Sequence, residues 1–340
     1  MTPPALRLAL DGAALVANWR AVAALGPQAA CGAAVKADGY GLGAREVSAR
    51  LAAAGCRDFF VATWAEVESL GALPEGAALS VLHGVRGADM AAARASPARP
   101  VLNSPEQVAR WRQTGRPCDV MVDTGMNRLG LTPEEATSGL LDGVPIDTLM
   151  SHFACADEPD HPLTARQRAA FDAVAARVPA RRRSIANSAG ALLGHALDLV
   201  RPGLALYGGA PAPGAAFAQV VRPQAEVLQR RRVPAGETVG YGATFTAPVD
   251  MAVAILNIGY ADGYFRAFAG HGVARAGEAA CPLVGRVSMD LVAVDVTGTD
   301  VAEGDWLTLD LALPSAAAAT GMSQYELLTS LGRRYSRVWE

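Results

Sequence analysis

The sequence predicts an α/β protein, with an N-terminal (β/α)8 TIM-type barrel followed by a C-terminal, mostly antiparallel β domain. Three observations predict it. Short apolar runs of buried-strand type recur eight times over the first two-thirds of the chain. Helical segments separate most of them, which is the alternation a barrel requires. After about residue 222 the pattern changes to alternating β-type runs broken by Pro and Gly turns. A doubly wound open sheet shares the alternation and is the alternative for the first part.

The elements follow in order. "DGAALVANWRAVAAL" has a helical period, with Asp11 as its N-cap. Asp11 and Arg20 interrupt the apolar residues of the opening, which therefore lacks the layout of a signal peptide. The strand candidates are "AACGAAV" (29–35), "DFFVAT" (58–63), "LSVLHG" (79–84) and "RPVLNS" (99–104), then "CDVMVDT" (118–124), "DTLMSHF" (147–153), "RSIANSA" (183–189) and "VRPGLALYG" (200–208). Helices lie between them at "AREVSARLAAAG", "WAEVESLGAL", "SPEQVARWRQTG" and "TARQRAAFDAVAARV". The expected domains are 1–222 for the barrel and 223–340 for the β domain, with residues 1–10 left open to either. The β domain ends on a short helix at "SQYELLTSLG"; "SAAAAT" before it reads as a loop or helix start. The two "RRR" runs, 181–183 and 230–232, read as solvated caps or strand edges.

The totals exclude several classes. With 340 residues, 51% hydrophobic and 19% charged, the chain is globular rather than disordered. A net charge of −3 gives no general affinity for nucleic acid or anionic membranes. No uncharged apolar stretch reaches the 18 residues of a membrane span. The five cysteines (Cys31, Cys56, Cys118, Cys155 and Cys281) are scattered and form no CxxC pair, so neither a disulfide framework nor a metal site is indicated, and a cytoplasmic location is expected.

One residue stands apart. Lys36 is the only lysine; the remaining Lys+Arg residues are all arginine. A base-composition bias toward arginine would leave a stray lysine by chance, but Lys36 sits where the apolar "CGAAV" meets the Gly-rich "DGYGLG". An arginine supplies charge there equally well. Only a lysine can lose its proton and condense with a carbonyl. Lys36 is therefore a candidate Schiff-base lysine. His83, Asn103, Asp123, His152, Asn187 and Ser188 also fall at or near the C-terminal ends of expected strands, the face at which barrels carry their sites.

These residues belong to a longer series of motifs. "AVKADGYGLGA", "VDTGMNRLG", "SHFACADE", "IANSAG", "VRPGLALYG", "GYGATFTA", "NIGYADGY", "GRVSMD" and "LLTSLGRRYSRVW" occur in the order found in alanine racemases, and the chain resembles that pyridoxal-phosphate-dependent family over nearly its whole length. The resemblance implies a barrel, a β domain and pyridoxal 5'-phosphate carried on Lys36 as an aldimine. By position, Tyr40, Tyr335, Ser188, Asn187 and the backbone of Gly203 and Leu204 match its phosphate surroundings. Arg201 matches the arginine facing the pyridine nitrogen. An arginine there cannot accept the ring proton, which limits carbanion delocalisation and suits reversible proton transfer rather than decarboxylation.

The family's two bases correspond to Lys36 on the D-isomer side and Tyr241, from the partner subunit of a homodimer, on the L-isomer side. A tyrosine is ordinarily a weak base at neutral pH, with a pKa of about 10; His152, held by Arg201, matches the group that assists it. Arg128 matches a substrate-carboxylate ligand, and Tyr260 and Met289 match residues that narrow the mouth. His83 is a further candidate for the mouth, with structural use as its first reading, and His161, His195 and His271 read as surface or core. The implied activity is interconversion of L- and D-alanine, supplying D-alanine for peptidoglycan. The alternatives are a serine or broader-specificity racemase on the same scaffold, or a non-catalytic pyridoxal-phosphate barrel, a class that lacks the β domain. One position departs from the pattern. Where some family members carry a lysine whose carbamate orients the Arg128 equivalent, this chain has Met121.

Overall fold

The computed structural model describes residues 4–340 and divides into two compact units. One runs from Leu15 to Ala218; the other combines Gln219–Glu340 with the residues up to Ala14.

In the first unit, every expected apolar run overlaps a strand, although the last does so only at Val200. The first strand is in two pieces, Ala30–Cys31 and Ala33–Ala34. It is followed by Asp58–Val61, Ala78–Val81, Arg99–Leu102, Cys118–Met121, Ile146–Met150, Arg182–Ser184 and Leu199–Val200. Neighbours pair in parallel, for example Ala33 with Phe59 and Val101 with Asp119. Backbone bonds close the ring: Arg201 N–H donates to Ala186 O, Gly32 N–H to Val200 O and Ala34 N–H to Pro202 O. The doubly wound open sheet is thereby excluded. Phe60, Val101, Met121, Met150 and Leu199, drawn from five different strands, pack into one buried cluster.

Local chemistry starts the helices where the sequence placed them. Asp11 Oδ1 accepts from Ala14 N–H at 2.8 Å at the start of Gly12–Ala24. Thr63 and Glu66 form a reciprocal capping box on Trp64–Leu70. Ser104 caps Pro105–Arg112, with proline at the first helical position.

One expectation fails here. Arg182 is not a solvated cap. Its guanidinium donates to Asp58 (2.7 and 2.9 Å) and to Asp147 (2.9 Å), and its side chain is only 13% exposed. Asp147 also pairs with Arg181 at 2.6 Å and Arg99 at 3.1 Å. The fully buried Asp119 accepts from Ser80 Oγ at 2.6 Å and Thr148 N–H at 3.0 Å. Charges drawn from the starts of strands distant in sequence neutralise one another, which a local reading of "RRR" cannot reveal. Arg232, in the other run, is exposed beside Asp250, as expected.

The second unit is an eight-stranded sheet. Its spatial order is Met251–Leu256, Val292–Asp295, Ala279–Val284, Val273–Ala276, Trp306–Leu309, Val221–Val233, Leu6–Leu10 and Ser336–Trp339. The 13-residue strand Val221–Val233 also pairs with Met251–Leu256, so the first six strands close on themselves. A register shift between Val227 and Gln229 lets this strand serve both neighbours. All pairs are antiparallel except Leu6–Leu10 with Ser336–Trp339. Of the opening left unassigned above, Leu6–Leu10 lies in this sheet, and residues 1–3 fall outside the described residues. "SAAAAT" is part of a helix, Leu313–Thr320, and a second short helix follows at Gln324–Thr329. Among the described residues no helix is long and apolar enough to cross a membrane.

Candidate active site

Lys36 leaves the first barrel strand just after Val35, whose N–H donates to Phe60 O at 2.8 Å. Burial lowers the lysine's proton affinity, the nearby Arg128 charge lowers it further, and Glu66 partly opposes both. Lys36 therefore holds more of the neutral, nucleophilic amine than a surface lysine does. The backbone then makes a left-handed turn through Ala37, Asp38, Gly39 and Tyr40. For residues with a Cβ this costs roughly 1–2 kcal/mol each.

That turn delivers Tyr40 into a dense cradle. Its ring stacks on Tyr207 with centroids 4.6 Å apart, and the Tyr207 hydroxyl donates to Ala34 O at 2.9 Å. Ser188 Oγ accepts from Gly203 N–H at 3.0 Å and Ala205 N–H at 3.4 Å, fixing the loop that faces Tyr40. A Cβ at Gly203 would lie 2.9 Å from Tyr40 Cζ and nearer still to its hydroxyl. Tyr40, Ser188 and the Gly203–Leu204 backbone are thus brought together. The Asn187 side-chain oxygen is occupied, capping Ser188–Leu192 through Gly190 N–H.

Arg201 is 5% exposed and has no carboxylate partner among the described residues. It donates to Ser184 Oγ and Ser151 O, and lies 3.4 Å from His152 Nδ1. Burial pulls the guanidinium down to about 10, against a small upward pull from Asp119. His152 falls to about 3 through burial, then the Arg201, Arg128 and Lys36 charges. A guanidinium only donates, so His152 Nδ1 accepts and the neutral imidazole carries its proton on Nε2.

Arg128 sits on a loop organised by Asp123. Oδ1 of Asp123 accepts from the N–H groups of Gly125, Met126 and Asn127, and Oδ2 from Arg128 N–H at 2.8 Å. Burial alone raises the Asp123 carboxyl, but these donors more than offset it and hold it below its ordinary value. The Arg128 side chain is exposed and makes no ion pair among the described residues, while Met121 packs in the apolar cluster.

In the β unit, Tyr241 is 75% exposed, Met289 53% and Tyr260 38%. Tyr241 borders a cavity of about 460 Å³ whose lining includes Val239, Ile255, Arg286 and Leu291. Tyr260 N–H and Ala261 N–H bond to Ser288 O and Met289 O, so the "GYADGY" and "SMD" loops are tied to each other. Arg334 locks both: it chelates the buried Asp262 at 2.6 and 2.7 Å and Asp290 at 2.7 Å. The Tyr335 hydroxyl is buried with no hydrogen-bond partner among the described residues. His83 and His271 are exposed, His161 caps a helix, and His195 packs on Phe153.

Sequence reasoning missed Tyr207, Glu66, Ser184 and Arg334. Tyr207 and Arg334 lie within the motifs named above; Glu66 carries only the local signal of a helix cap, and Ser184 none, because the contacts that matter are made far along the chain.

Comparison with known proteins follows the same division. Residues 10–211 match the alanine racemase N-terminal domain and residues 220–339 the alanine racemase C-terminal domain. An alanine racemase of Rhodospirillum rubrum is 45% identical over 97% of this chain and 94% of its own. A catabolic alanine racemase of Agrobacterium fabrum is 42% identical over 98% and 91%. The crystal structure of alanine racemase from Bartonella henselae with covalently bound pyridoxal phosphate superposes with a TM-score of 0.90 at 35% identity, covering 99% of this chain and 100% of that one. Matched in both halves and by relatives along its whole length, the chain belongs to the alanine racemase family.

Proposed function

We propose that this alanine racemase interconverts L- and D-alanine with pyridoxal 5'-phosphate bound covalently through Lys36, and that it works as a homodimer with two bases per site. The observation that carries the reading is the chain's only lysine, half-buried, depressed in proton affinity and followed at once by the turn that leads into a tight polar cradle. The cradle fits the cofactor: a Cβ at Gly203 would fill the space beside the Tyr40 hydroxyl, and the Bartonella henselae relative carries this group covalently. Tyr40, Ser188, Asn187, the Gly203 and Leu204 backbone and Tyr335 are the proposed phosphate ligands, and Arg201 would serve the ring nitrogen. When bound, the cofactor withdraws electrons from the substrate α-carbon and acidifies its proton.

The chain's own groups do the rest. Arg128 takes the substrate carboxylate, and its unpaired side chain leaves it free to do so. Lys36 Nζ takes or returns the α-proton on one face. Tyr241 Oη does so on the other face, contributed by the partner along with Tyr260 and Met289, which would explain why these large side chains are exposed in a single chain. His152, neutral at every physiological pH, offers Nε2–H to the Tyr241 oxygen. Arg201 remains charged at neutral pH and would have no proton-accepting atom to offer the ring nitrogen. A cytoplasmic location and a supply of D-alanine for peptidoglycan accompany this reading. Serine or broader amino-acid racemisation is the second reading, favoured by the freedom of Arg128 where Met121 supplies no anion.

Borohydride reduction of the holoenzyme followed by peptide mapping tests the anchor: the pyridoxyl group belongs on Lys36, and its appearance at Met1 alone would refute the assignment. Mixing tests the shared site. Lys36→Ala and Tyr241→Ala homodimers should each be nearly inactive, and mixed dimers should regain activity. Demonstrated heterodimers with no recovery would refute it.

A further inference from the structure

The turn after Lys36 has a backbone that side chains rarely adopt. Ala37, Asp38, Gly39 and Tyr40 have φ of 52°, 53°, 63° and 56°. Three of the four carry a Cβ, so the conformation persists only if its surroundings hold it. Part of the hold is internal: Gly39 N–H bonds to Val35 O, Gly41 N–H to Ala37 O and Gly43 N–H to Asp38 O, each at 2.8 Å. Asp38 Oδ1 adds Ala44 N–H at 2.9 Å.

Another tie comes from a different βα unit. Ala37 N–H, the first amide after the lysine, donates to Glu66 Oε1 at 2.8 Å. The other oxygen, Oε2, accepts from Ala62 N–H at 2.6 Å and Thr63 N–H at 3.3 Å, where the second strand ends. One carboxylate thus joins the exits of the first and second strands, one oxygen to each. Glu66 is also the anion that acts on the Lys36 ammonium against burial and Arg128.

We propose that Glu66 is a positioning residue for Lys36: its carboxylate straps the left-handed turn to the end of the second strand and so sets the direction in which the lysine leaves the barrel. The inference rests on Lys36 being the cofactor anchor. A carboxylate is required because both oxygens must accept. Glutamine has one acceptor oxygen, and its NH2 would face an N–H donor. In Glu66→Gln the one oxygen stays with the two amides of Ala62 and Thr63, the NH2 is turned to Ala37 N–H, and the strap is lost. Thr63→Ala is the matched control, since it removes the other half of the capping box and leaves the bond to Ala37 untouched.

The test compares full-length wild type, Glu66→Gln and Thr63→Ala. The first readout is amide hydrogen exchange at Ala37, which needs no cofactor chemistry. The second is the rate at which Lys36 recaptures pyridoxal phosphate after its removal with hydroxylamine, followed by absorbance across pH. In Glu66→Gln, exchange at Ala37 should rise about 10-fold or more, and recapture should slow by about 10-fold. The pH midpoint of recapture should fall, because an anion that raises the lysine's proton affinity is gone; Arg128 and His152 are the other groups facing it, and they are unchanged. Thr63→Ala should lose thermal stability while keeping wild-type exchange at Ala37 and wild-type recapture. Unchanged exchange and recapture in Glu66→Gln would overturn the proposal, as would an equal loss in Thr63→Ala. A wild type that never loads Lys36 would instead refute the anchor assignment itself.

Discussion

Gly203→Ala tests the cradle with a single methyl group. Gly203 has φ −128°, outside the left-handed region that favours glycine, so the test turns on the contact that its new Cβ makes. Its effect is steric. The new Cβ would sit 2.9 Å from Tyr40 Cζ, when ordinary contact begins at 3.4 Å, so the ring must retreat by about half an ångström and the hydroxyl by more. Retreat is blocked on the other side by Tyr207, stacked at 4.6 Å and tethered to Ala34 O. Overpacking of this kind costs about 1–3 kcal/mol of stability. Displacing the Tyr40 hydroxyl from the phosphate should cost the ~1.5–3 kcal/mol of a hydrogen bond to a charged group, or about 10- to 100-fold in cofactor affinity. Equilibrium dialysis of pyridoxal phosphate on wild type, Gly203→Ala, Tyr40→Phe and the double variant measures this. In the Tyr40→Phe background, the added methyl should cost much less affinity than in wild type. Wild-type affinity in Gly203→Ala, or an undiminished cost in the Tyr40→Phe background, would refute the reasoning.

Three further outcomes are expected. The Asp147 carboxyl is held down at about 2, since its ion pairs with Arg181, Arg99 and Arg182 outweigh the upward pull of burial. Its folded value lies below the unfolded one, so it contributes about 2 kcal/mol above pH 4 that is lost as pH falls toward 2; Asp147→Asn should lower stability at neutral pH and flatten this acid limb in urea titrations. Asp123→Asn keeps one acceptor oxygen for four amides, so Arg128 should be presented loosely and KM for alanine should rise several-fold with a smaller change in kcat, as steady-state assays will show. Arg334→Met strands the fully buried Asp262 without its partner and should lower the Tm of the enzyme in calorimetry while leaving pyridoxyl labelling of Lys36 intact.

The strands and the lysine were legible in the sequence for the same reason: each is announced by its immediate neighbours. A buried strand is a short apolar run, and Lys36 lies where such a run meets glycines. Legibility ended where function depends on pairs far apart in the chain. The Tyr40–Tyr207 stack joins residues whose distance in sequence hides their contact. Arg182 looked like surface because its neutralising partners, Asp58 and Asp147, start other strands. Glu66 reads as an ordinary helix cap, and half of its bonding is that of a cap; the bond to Ala37 appears only when two strand exits lie side by side. Asp123 was noticed as a polar residue at a strand end, but its four amide ligands needed coordinates. The same holds for the β domain, where the double use of Val221–Val233 cannot be inferred from alternation alone.

The strand Leu6–Leu10 sets a schedule for the nascent chain. It pairs with residues beginning at Val221 and with Ser336–Trp339, so its hydrogen-bonding partners are made roughly 210 and 330 residues later. At about 5–20 residues per second, a ribosome takes some 10–40 s to reach the first of them. During that interval the whole barrel emerges, while an apolar segment, "LRLAL", waits with both edges unpaired. Such a segment is open to wrong pairing with a neighbouring chain on the same polysome. Folding in the cell should therefore depend on a holding chaperone more than refolding of the complete chain does, where the partners are present from the start.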